Sequence, residues 1–471
     1  MRVSYSDEMI HLYDTLEGEV RELRLREEGR VGIYLCGPTV YDLPHLGHGR
    51  HMLVWDVLRR WLAFEGLEVD FVSNVTDIDD KIIARAATEG VSEEALATRY
   101  EDEWWRAMEA LGVAPPTHAP HATAYVHQMV EAISTLIERD VAYTTDDGVY
   151  FDVSRVEDYG RLSGQSLESL RSGARVEVDE AKRSPLDFAL WKRAKEGEPS
   201  WEAPFGAGRP GWHTECVVMS LELLDEGFDL HCGGLELKFP HHENERAQAS
   251  ALGRPFARHW GHHGWVMVGE EKMSKSLGNF TSLTDLLATT DPRAYRLLVL
   301  RSHYRSPLEV TPETIADAER SLERLDALAR RFSLAPLAGE RVEVGSDYDF
   351  SGPAGQLRGR IASALDDDLD TPQAVAKLFD ATSQANVLAD RGDPRGAAQL
   401  ARAIGALFGA MGLRLHTSDD EVDETSADLL ARRDSARAAG DYSEADRLRD
   451  VLASHGWLIE DTPSGSVLRR S

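Results

Sequence analysis

Three cysteines in 471 residues, Cys36, Cys216 and Cys232, are too few and too unevenly spaced to staple a secreted domain. A disulfide framework is therefore excluded, and reduced thiols in a cytosolic protein are expected. Nowhere do uncharged apolar residues run together for the roughly eighteen positions that a membrane-spanning helix needs. The first residues, Met1-Arg2-Val3-Ser4-Tyr5, have no apolar signal core, so neither a membrane anchor nor export is expected. Basic residues are also scarce, since 52 Lys and Arg against 81 Asp and Glu leave a net charge of -29. That balance argues against a surface that gathers nucleic acid by bulk attraction, so any RNA contact must use local basic patches. Internal repeats are lacking, and the one low-complexity tract is the acidic run Asp419-Asp420-Glu421-Val422-Asp423-Glu424, which sets repeat architectures aside.

What is present is enough apolar residue, 42% of the chain, for more than one core. The length exceeds the ~250–300 residues that a single core supports, so two to four domains are expected. Val31 to Cys36 reads as a buried strand, Gly49 to Glu65 as an amphipathic helix and Leu67 to Val75 as a second strand. Strand, helix, strand opens a parallel, doubly wound, Rossmann-like α/β sheet, whose ligands sit beyond the carboxyl ends of the strands. A second α/β portion returns at Pro210, with Asp229-Leu230-His231 near a strand and His242 to Ala251 as helix. The sheet is thus split by an insertion carrying its own strand signal at Gly148 to Val153. Beyond Ser276 the pattern is helical, and Thr311-Pro312-Glu313 is a capped helix start. The expected organisation is a catalytic first half at 1–117, an insertion at 118–205, a second half at 206–280 and a helical region at 281–335. A helical bundle at 354–415 and a small C-terminal module at 426–471 follow.

Two short motifs carry the chemistry. His45-Leu46-Gly47-His48 follows the first strand at the start of its helix. Gly47 lets a flat ring approach the backbone, while the two imidazoles can donate to phosphate oxygens at a helix N-terminus that already favours anions. Lys272-Met273-Ser274-Lys275-Ser276 places two ammonium groups on a loop that can close over a triphosphate. Either motif alone is weak, but in this order on one chain they resemble the signatures of class I aminoacyl-tRNA synthetases. A third constellation adds a metal. Cys36 ends a strand, Cys216 lies in Gly211-Trp212-His213-Thr214-Glu215-Cys216, and His241 and Glu245 stand four apart, on one face if helix has begun by His241. Two thiolates, an imidazole and a carboxylate make a tetrahedral zinc set.

The stretches Tyr34 to His48, Asn74 to Lys81, Gly208 to His213, Phe239 to Glu245 and Glu271 to Asn279 extend the resemblance. Through them, over essentially its whole length, the chain resembles the cysteinyl-tRNA synthetases. The resemblance implies one zinc per chain, held by Cys36, Cys216, His241 and Glu245, which grips the substrate thiolate. It implies a cysteine pocket at Gly37, Thr76 and Trp212, and an ATP site at Pro38, Thr39, His45, Gly47, His48, Gly233, Gly234, Glu236 and Lys275, with Mg²⁺ accompanying ATP. His45, His48, Lys272 and Lys275 are the implied catalytic residues, and Arg437, Tyr442, Asp446 and Asp461 the implied anticodon readers. Three positions depart from the family pattern: Glu236 stands where aspartate is usual, Leu468 where tryptophan is common, and Cys232 is an additional thiol, taken as a small filler. The implied partners are L-cysteine, ATP and tRNA(Cys), for a cytoplasmic monomer. Zinc makes a single pocket sufficient, because soft sulfur ionises and coordinates where the serine hydroxyl does neither comparably. Two alternatives share some of these motifs: a cysteine-activating ligase with an amino-sugar acceptor, and a catalytically silent RNA-binding paralogue. About 195 residues beyond Ser276 weigh against the first, and the intact motifs against the second.

Overall fold

The computed structural model describes residues 10–165, 182–268, 271–272, 282–334, 345, 348–416, 424–455, 457–462 and 465–470. Its centre is a four-stranded parallel sheet in the order β10-β9-β3-β4. After an antiparallel hairpin of β1 (His11–Asp14) and β2 (Glu19–Glu22), these strands are β3 (Arg30–Leu35), β4 (Glu68–Ser73), β9 (Leu230–Gly234) and β10 (His259–His263). The chain moves outward from β3 to β4 and later outward from β9 to β10, so the switch of direction falls between β3 and β9. There the crevice beyond the carboxyl ends opens.

Helix α1 (Leu46–Phe64) joins β3 to β4 and is buried around nearly its whole circumference. It begins at Leu46, three residues before the expected Gly49, because His45 caps it. Met52, Leu53, Trp55, Leu58, Trp61 and Leu62 face the core, each at most 1% exposed. Arg50, Asp56, Arg59 and Arg60 are buried on the same helix, which is tolerable only because each finds polar partners. Helices α2 (Asp80–Glu89) and α3 (Glu93–Ala110) follow β4.

The inserted region holds α4 (Val126–Glu138) and an antiparallel sheet of β5 (Ala142–Thr144), β6 (Gly148–Phe151), β7 (Phe188–Arg193) and β8 (Gly208–Pro210). Its last strand lies beyond residue 205, since Gly208 must approach the Trp191–Lys192 backbone closely. A Cβ on Gly208 would lie 2.2 Å from the Lys192 carbonyl oxygen. Helix α5 (Trp212–Leu224) returns the chain to β9, and α6 (Glu243–Ala251) precedes β10.

Strands β11 (Val266–Val268), β12 (Glu271–Lys272) and β13 (Leu308–Glu309) form a small sheet in the order β12-β11-β13. Around it run α7 (Leu283–Leu287), α8 (Pro292–Leu300) and α9 (Pro312–Arg331). Thr311 caps α9 with its own side chain and Pro312 occupies the first turn, as the sequence predicts. Helices α10 (Pro353–Leu365), α11 (Thr371–Asp390) and α12 (Pro394–Gly409) make the bundle. One continuous apolar core runs from β3 and α1 through α8 and α9 into this bundle. The terminal module has α13 (Glu424–Ala438), α14 (Tyr442–Ser454) and the hairpin β14 (Trp457–Thr462) and β15 (Gly465–Arg470). It keeps a separate small core in which Leu468 packs with Leu452 and Trp457. Among the described residues no helix is long and apolar enough to cross a membrane.

Candidate active site and metal centre

The carboxyl end of β3 delivers Cys36, and α5 brings Cys216 beneath it, both buried. His241 lies in a π-turn, Lys238–His242, rather than in regular helix, and Glu245 lies in the first turn of α6. The four donors still meet, all within 4.8 Å of one another. The two sulfurs are 3.7 Å apart, far beyond a disulfide bond and close to the edge of about 3.8 Å expected for two thiolates on one tetrahedral zinc. Cys216 Sγ to His241 Nε2 is 3.5 Å and Cys36 Sγ to Glu245 Oε1 is 3.6 Å. His241 Nε2 and Glu245 Oε1, at 2.9 Å, are spaced as a hydrogen bond.

Electrostatics describe a cluster that calls for a cation. Burial is the largest influence on both thiols; at Cys36 it prevails and pushes the thiol up. At Cys216 hydrogen bonding from Cys36 and the neighbouring His241 outweigh burial and hold the thiol at about 6. Burial opposes the charge on Glu245 too, yet His241 and His231 bring it down to about 2. Burial disfavours a charged His241, and Glu245 and Cys216 override that to raise it to about 10. A buried pocket in which Cys216 and Glu245 are driven toward their anions is a setting in which soft and nitrogen donors hold a divalent ion.

A second donor group shares two members: Cys36, His231, His242 and Glu245. It lies deeper, with His231 and His242 at 0% exposure. The first group borders the crevice, where the indole of Trp212, 37% exposed, stacks on His241 at 4.2 Å. The deeper imidazoles support the outer donors. His231 Nε2 is 2.7 Å from Glu245 Oε2, and His242 Nε2 is 3.3 Å from Cys36 Sγ. His242 is backed by His262 at 2.9 Å and His213 backs His241 at 2.9 Å. His51 meets the Cys36 carbonyl at 2.8 Å and His263 at 3.0 Å. Burial drives His51 to about 4 and His262 to about 3, so both are neutral near pH 7. Spacing singles out none of these supporting histidines; the one visible signal is the doubled pairs at 241–242 and 262–263.

The implied pocket residues surround the outer group. Gly37 donates its N–H to Asn74 Oδ1 at 2.8 Å, and a Cβ there would fall 1.6 Å from the Asn74 carbonyl oxygen. No side chain fits. Thr76 Oγ1 donates to the buried carboxylate of Glu215 at 2.8 Å, and the Thr76 N–H donates to the Pro38 carbonyl at 2.9 Å. Thr39 pairs with Thr76 in an isolated bridge.

At the head of α1, the N–H of His48 donates to His45 Nδ1 at 3.2 Å and the N–H of His45 donates to His48 Nδ1 at 3.3 Å. The rings stack at 3.5 Å. Because each Nδ1 accepts, each neutral ring carries its proton on Nε2. Gly47 is the second residue of this helix. Gly233 and Gly234 close β9 across the crevice; a Cβ on Gly233 would lie 2.5 Å from the His242 ring. The Glu236 carboxylate curls toward Gly234, where a Cβ would meet it at 2.2 Å. Cys232 is fully buried and belongs to neither donor group.

Lys272 is described only through its backbone, which pairs with Met267, while Lys275 lies outside the described residues. The chain after this segment returns to the first motif, where Ser282 bridges His45 and the Leu283 N–H donates to the Pro44 carbonyl at 3.0 Å. In the terminal module, Arg437 ends α13, Tyr442 opens α14 at 67% exposure, and Asp446 lies one turn on, 3.1 Å from Arg449. Asp461 lies on β14 opposite Ser466, and its side chain is outside the described set.

Residues 22–320 match the family of tRNA synthetases class I (C) catalytic domains, residues 360–416 the DALR domain, and residues 419–467 the cysteinyl-tRNA ligase anticodon binding domain. The chain is 45% identical to the cysteine–tRNA ligase of Alkalilimnicola ehrlichii, an alignment covering 98% of this chain and all of that one. It is equally identical, with the same coverage, to the cysteine–tRNA ligase of Thioalkalivibrio sulfidiphilus. In fold it is similar to Mycobacterium tuberculosis methionyl-tRNA synthetase in complex with methionyl-adenylate, with a TM-score of 0.55 and 16% identity over 81% of this chain and 89% of that one. A leucyl enzyme–tRNA complex from Agrobacterium radiobacter gives a TM-score of 0.61 and 12% identity over 82% of this chain and 84% of that one. With its parallel sheet, capped histidine motif, helical bundle and terminal module, this chain belongs to the cysteinyl-tRNA synthetase family of class I aminoacyl-tRNA synthetases.

Proposed function

We propose that the chain activates L-cysteine with ATP to cysteinyl adenylate and transfers the cysteinyl group to the terminal ribose of tRNA(Cys). The observation that carries this reading is the meeting of Cys36, Cys216, His241 and Glu245 at the carboxyl end of β3, beside the α1 N-terminus that bears His45 and His48. These four donors would hold zinc. When bound, the ion supplies a soft Lewis acid that favours the substrate as thiolate and so separates cysteine from serine.

The remaining steps fall to the protein and its substrates. Gly37, with no side chain, lets the end of β3 lie against the Asn74 backbone beside the amino acid, which Thr76 and Trp212 border on two sides. The cysteine carboxylate attacks the α-phosphate of ATP, a P–O bond to pyrophosphate breaks, and pyrophosphate leaves. His45 and His48 donate from Nε2 to phosphate oxygens, and Lys272 and Lys275 neutralise charge on the departing pyrophosphate. Pro38, Thr39, Gly47, Gly233 and Gly234 form the walls around the nucleotide, Glu236 accepts from ribose hydroxyls, and Mg²⁺ enters with ATP. In the second step a ribose hydroxyl of tRNA attacks the adenylate carbonyl and AMP leaves. Arg437, Tyr442, Asp446 and Asp461 read splayed anticodon bases through guanidinium, ring and carboxylate contacts. The protein acts as a cytoplasmic monomer. An amino-sugar acceptor would leave the bundle and the anticodon-binding module without a task.

Cysteine-dependent ATP–pyrophosphate exchange, run with cysteine and serine before and after zinc removal, tests the reading. Exchange with cysteine that is lost on chelation and restored by zinc supports it. Equal exchange with serine, or full activity in zinc-free protein, overturns it.

A further inference from the structure

Arg50 lies two residues after His48 and is 1% exposed. Among the described residues it forms no ion pair; its guanidinium is spent on backbone carbonyls. Nη1 donates to the Trp265 carbonyl at 2.7 Å, and Nη2 donates to the Tyr304 carbonyl at 3.0 Å and the Ser306 carbonyl at 2.5 Å. Burial lowers its pKa to about 10, so it stays protonated near neutrality. Glu236 acts on Arg50 only through its field, and a buried cation without a carboxylate in contact is costly, several kcal/mol after relaxation. A hydrophobic side chain would fill such a place at lower cost unless the carbonyls themselves need gathering.

Those carbonyls belong to the root of the β12-β11-β13 sheet. Trp265 immediately precedes β11 and its carbonyl also accepts from the Leu308 N–H at 2.9 Å, while the Tyr304 carbonyl also accepts from the Gly264 N–H at 2.8 Å. Gly264 is forced to be glycine, because a Cβ would lie 2.5 Å from the Ser306 carbonyl oxygen and 2.7 Å from that of Arg305. Two residues beyond Trp265, Met267 pairs with Lys272. On its far side the 304–306 loop is tied to the bundle, where the Tyr304 hydroxyl donates to Asp368 Oδ1 at 2.7 Å.

We propose that Arg50 is a positioning residue for adenylate formation: its guanidinium fixes the spacing between the α1 N-terminus, with His45 and His48, and the β11–β12 pair that carries the Lys272 backbone. The inference rests on the reading that the two signatures act together on ATP. Lysine can replace this fork only in part, since one ammonium cannot span three carbonyls with arginine's planar geometry.

The experiment compares Arg50→Lys, Arg50→Met and Gly264→Ala with Lys272→Ala in cysteine-dependent pyrophosphate exchange, normalised by active-site titration, with zinc content measured alongside. An ångström-scale misplacement of catalytic groups costs on the order of 10²-fold in rate, so Arg50→Met and Gly264→Ala are expected to lose about that much kcat, and Arg50→Lys less, with the cysteine KM within about twofold. Gly264→Ala leaves every charge in place and separates misplacement from loss of charge. Unchanged kcat in Arg50→Met and Gly264→Ala while Lys272→Ala is inactive overturns the proposal. So does a parallel collapse of kcat, cysteine KM and zinc content, the mark of general disruption. Full activity in Lys272→Ala instead defeats the reading beneath it.

Discussion

Asp56 is the residue whose loss should most clearly separate the catalytic sheet from the helices behind it. Its carboxylate, 1% exposed, holds three buried guanidiniums: Arg59 at 2.7 Å, Arg60 at 2.8 Å and Arg296 at 2.8 Å. It also accepts the Ala114 N–H at 3.0 Å. Among the described residues no second carboxylate pairs with any of the three arginines. Their other partners are carbonyls, including Gly112 for Arg60 and Leu111 and Met411 for Arg296. Arg296 thus ties α1 to the chain just beyond α12 through one carboxylate and one carbonyl.

Asp56→Asn keeps the shape, removes the charge and turns an amide toward a guanidinium. Breaking one buried pair costs about 3–5 kcal/mol because the abandoned charge stays desolvated. Three cations share this anion, so the expected loss is at the upper end, about 5 kcal/mol, comparable with the whole stability of many domains. Urea unfolding followed by tryptophan fluorescence reports it, since Trp55 and Trp61 lie buried on the same helix. The pH dependence has a definite sign. Burial pushes the Asp56 carboxyl up, and the three arginines outweigh burial to hold it well below the ordinary carboxylate range. The contribution is therefore fully present above about pH 4, the unfolded value, and fades only as pH falls through the folded one. A wild type and an Asp56→Asn protein that differ by less than about 1 kcal/mol at pH 7 would refute this accounting of the cluster.

Two further expectations concern the active site and the tail. Cys216→Ser removes a thiolate that serine cannot supply, so zinc content should fall from one per chain to near none and cysteine activation should be abolished; metal analysis with pyrophosphate exchange checks both, and near-normal values defeat the assignment. Removing residues 426–471 takes away a module whose core of Leu452, Trp457 and Leu468 is separate from the main one. Pyrophosphate exchange should then stay nearly intact while aminoacylation drops, and an unchanged aminoacylation efficiency rules out a role for the module in reading tRNA.

The parallel sheet was legible because its strands are short apolar runs and α1 has helical periodicity. The helix starts three residues before its periodicity suggests, because capping by histidine is uncommon and only the reciprocal Nδ1 contacts of His45 and His48 show it. Serine, threonine and aspartate are the usual signals. The donors Cys36, Cys216, His241 and Glu245 stood out because thiols are scarce here. The layer behind them did not, since a buried histidine has no sequence periodicity of its own. His51 sits in a helix and His231, His262 and His263 on strands, each looking like an ordinary core position. Arg50 and Asp56 were hidden for the opposite reason: on a helical wheel they read as solvated charges, yet both are buried.

These hidden residues share a physical logic with the donors they stand behind. His241 and Glu245 draw together at 2.9 Å, so a geometry that also admits both thiols to one ion must be held from outside. His231 on Glu245 and His242 on Cys36 impose it through ring nitrogens at 2.7 Å and 3.3 Å, which fix the donors from behind. A layer of carboxylates there would compete for the ion, and a layer of lysines would repel it. Imidazoles bring a polar nitrogen to each donor without a fixed charge, which accounts for the use of so many buried histidines beneath one small site.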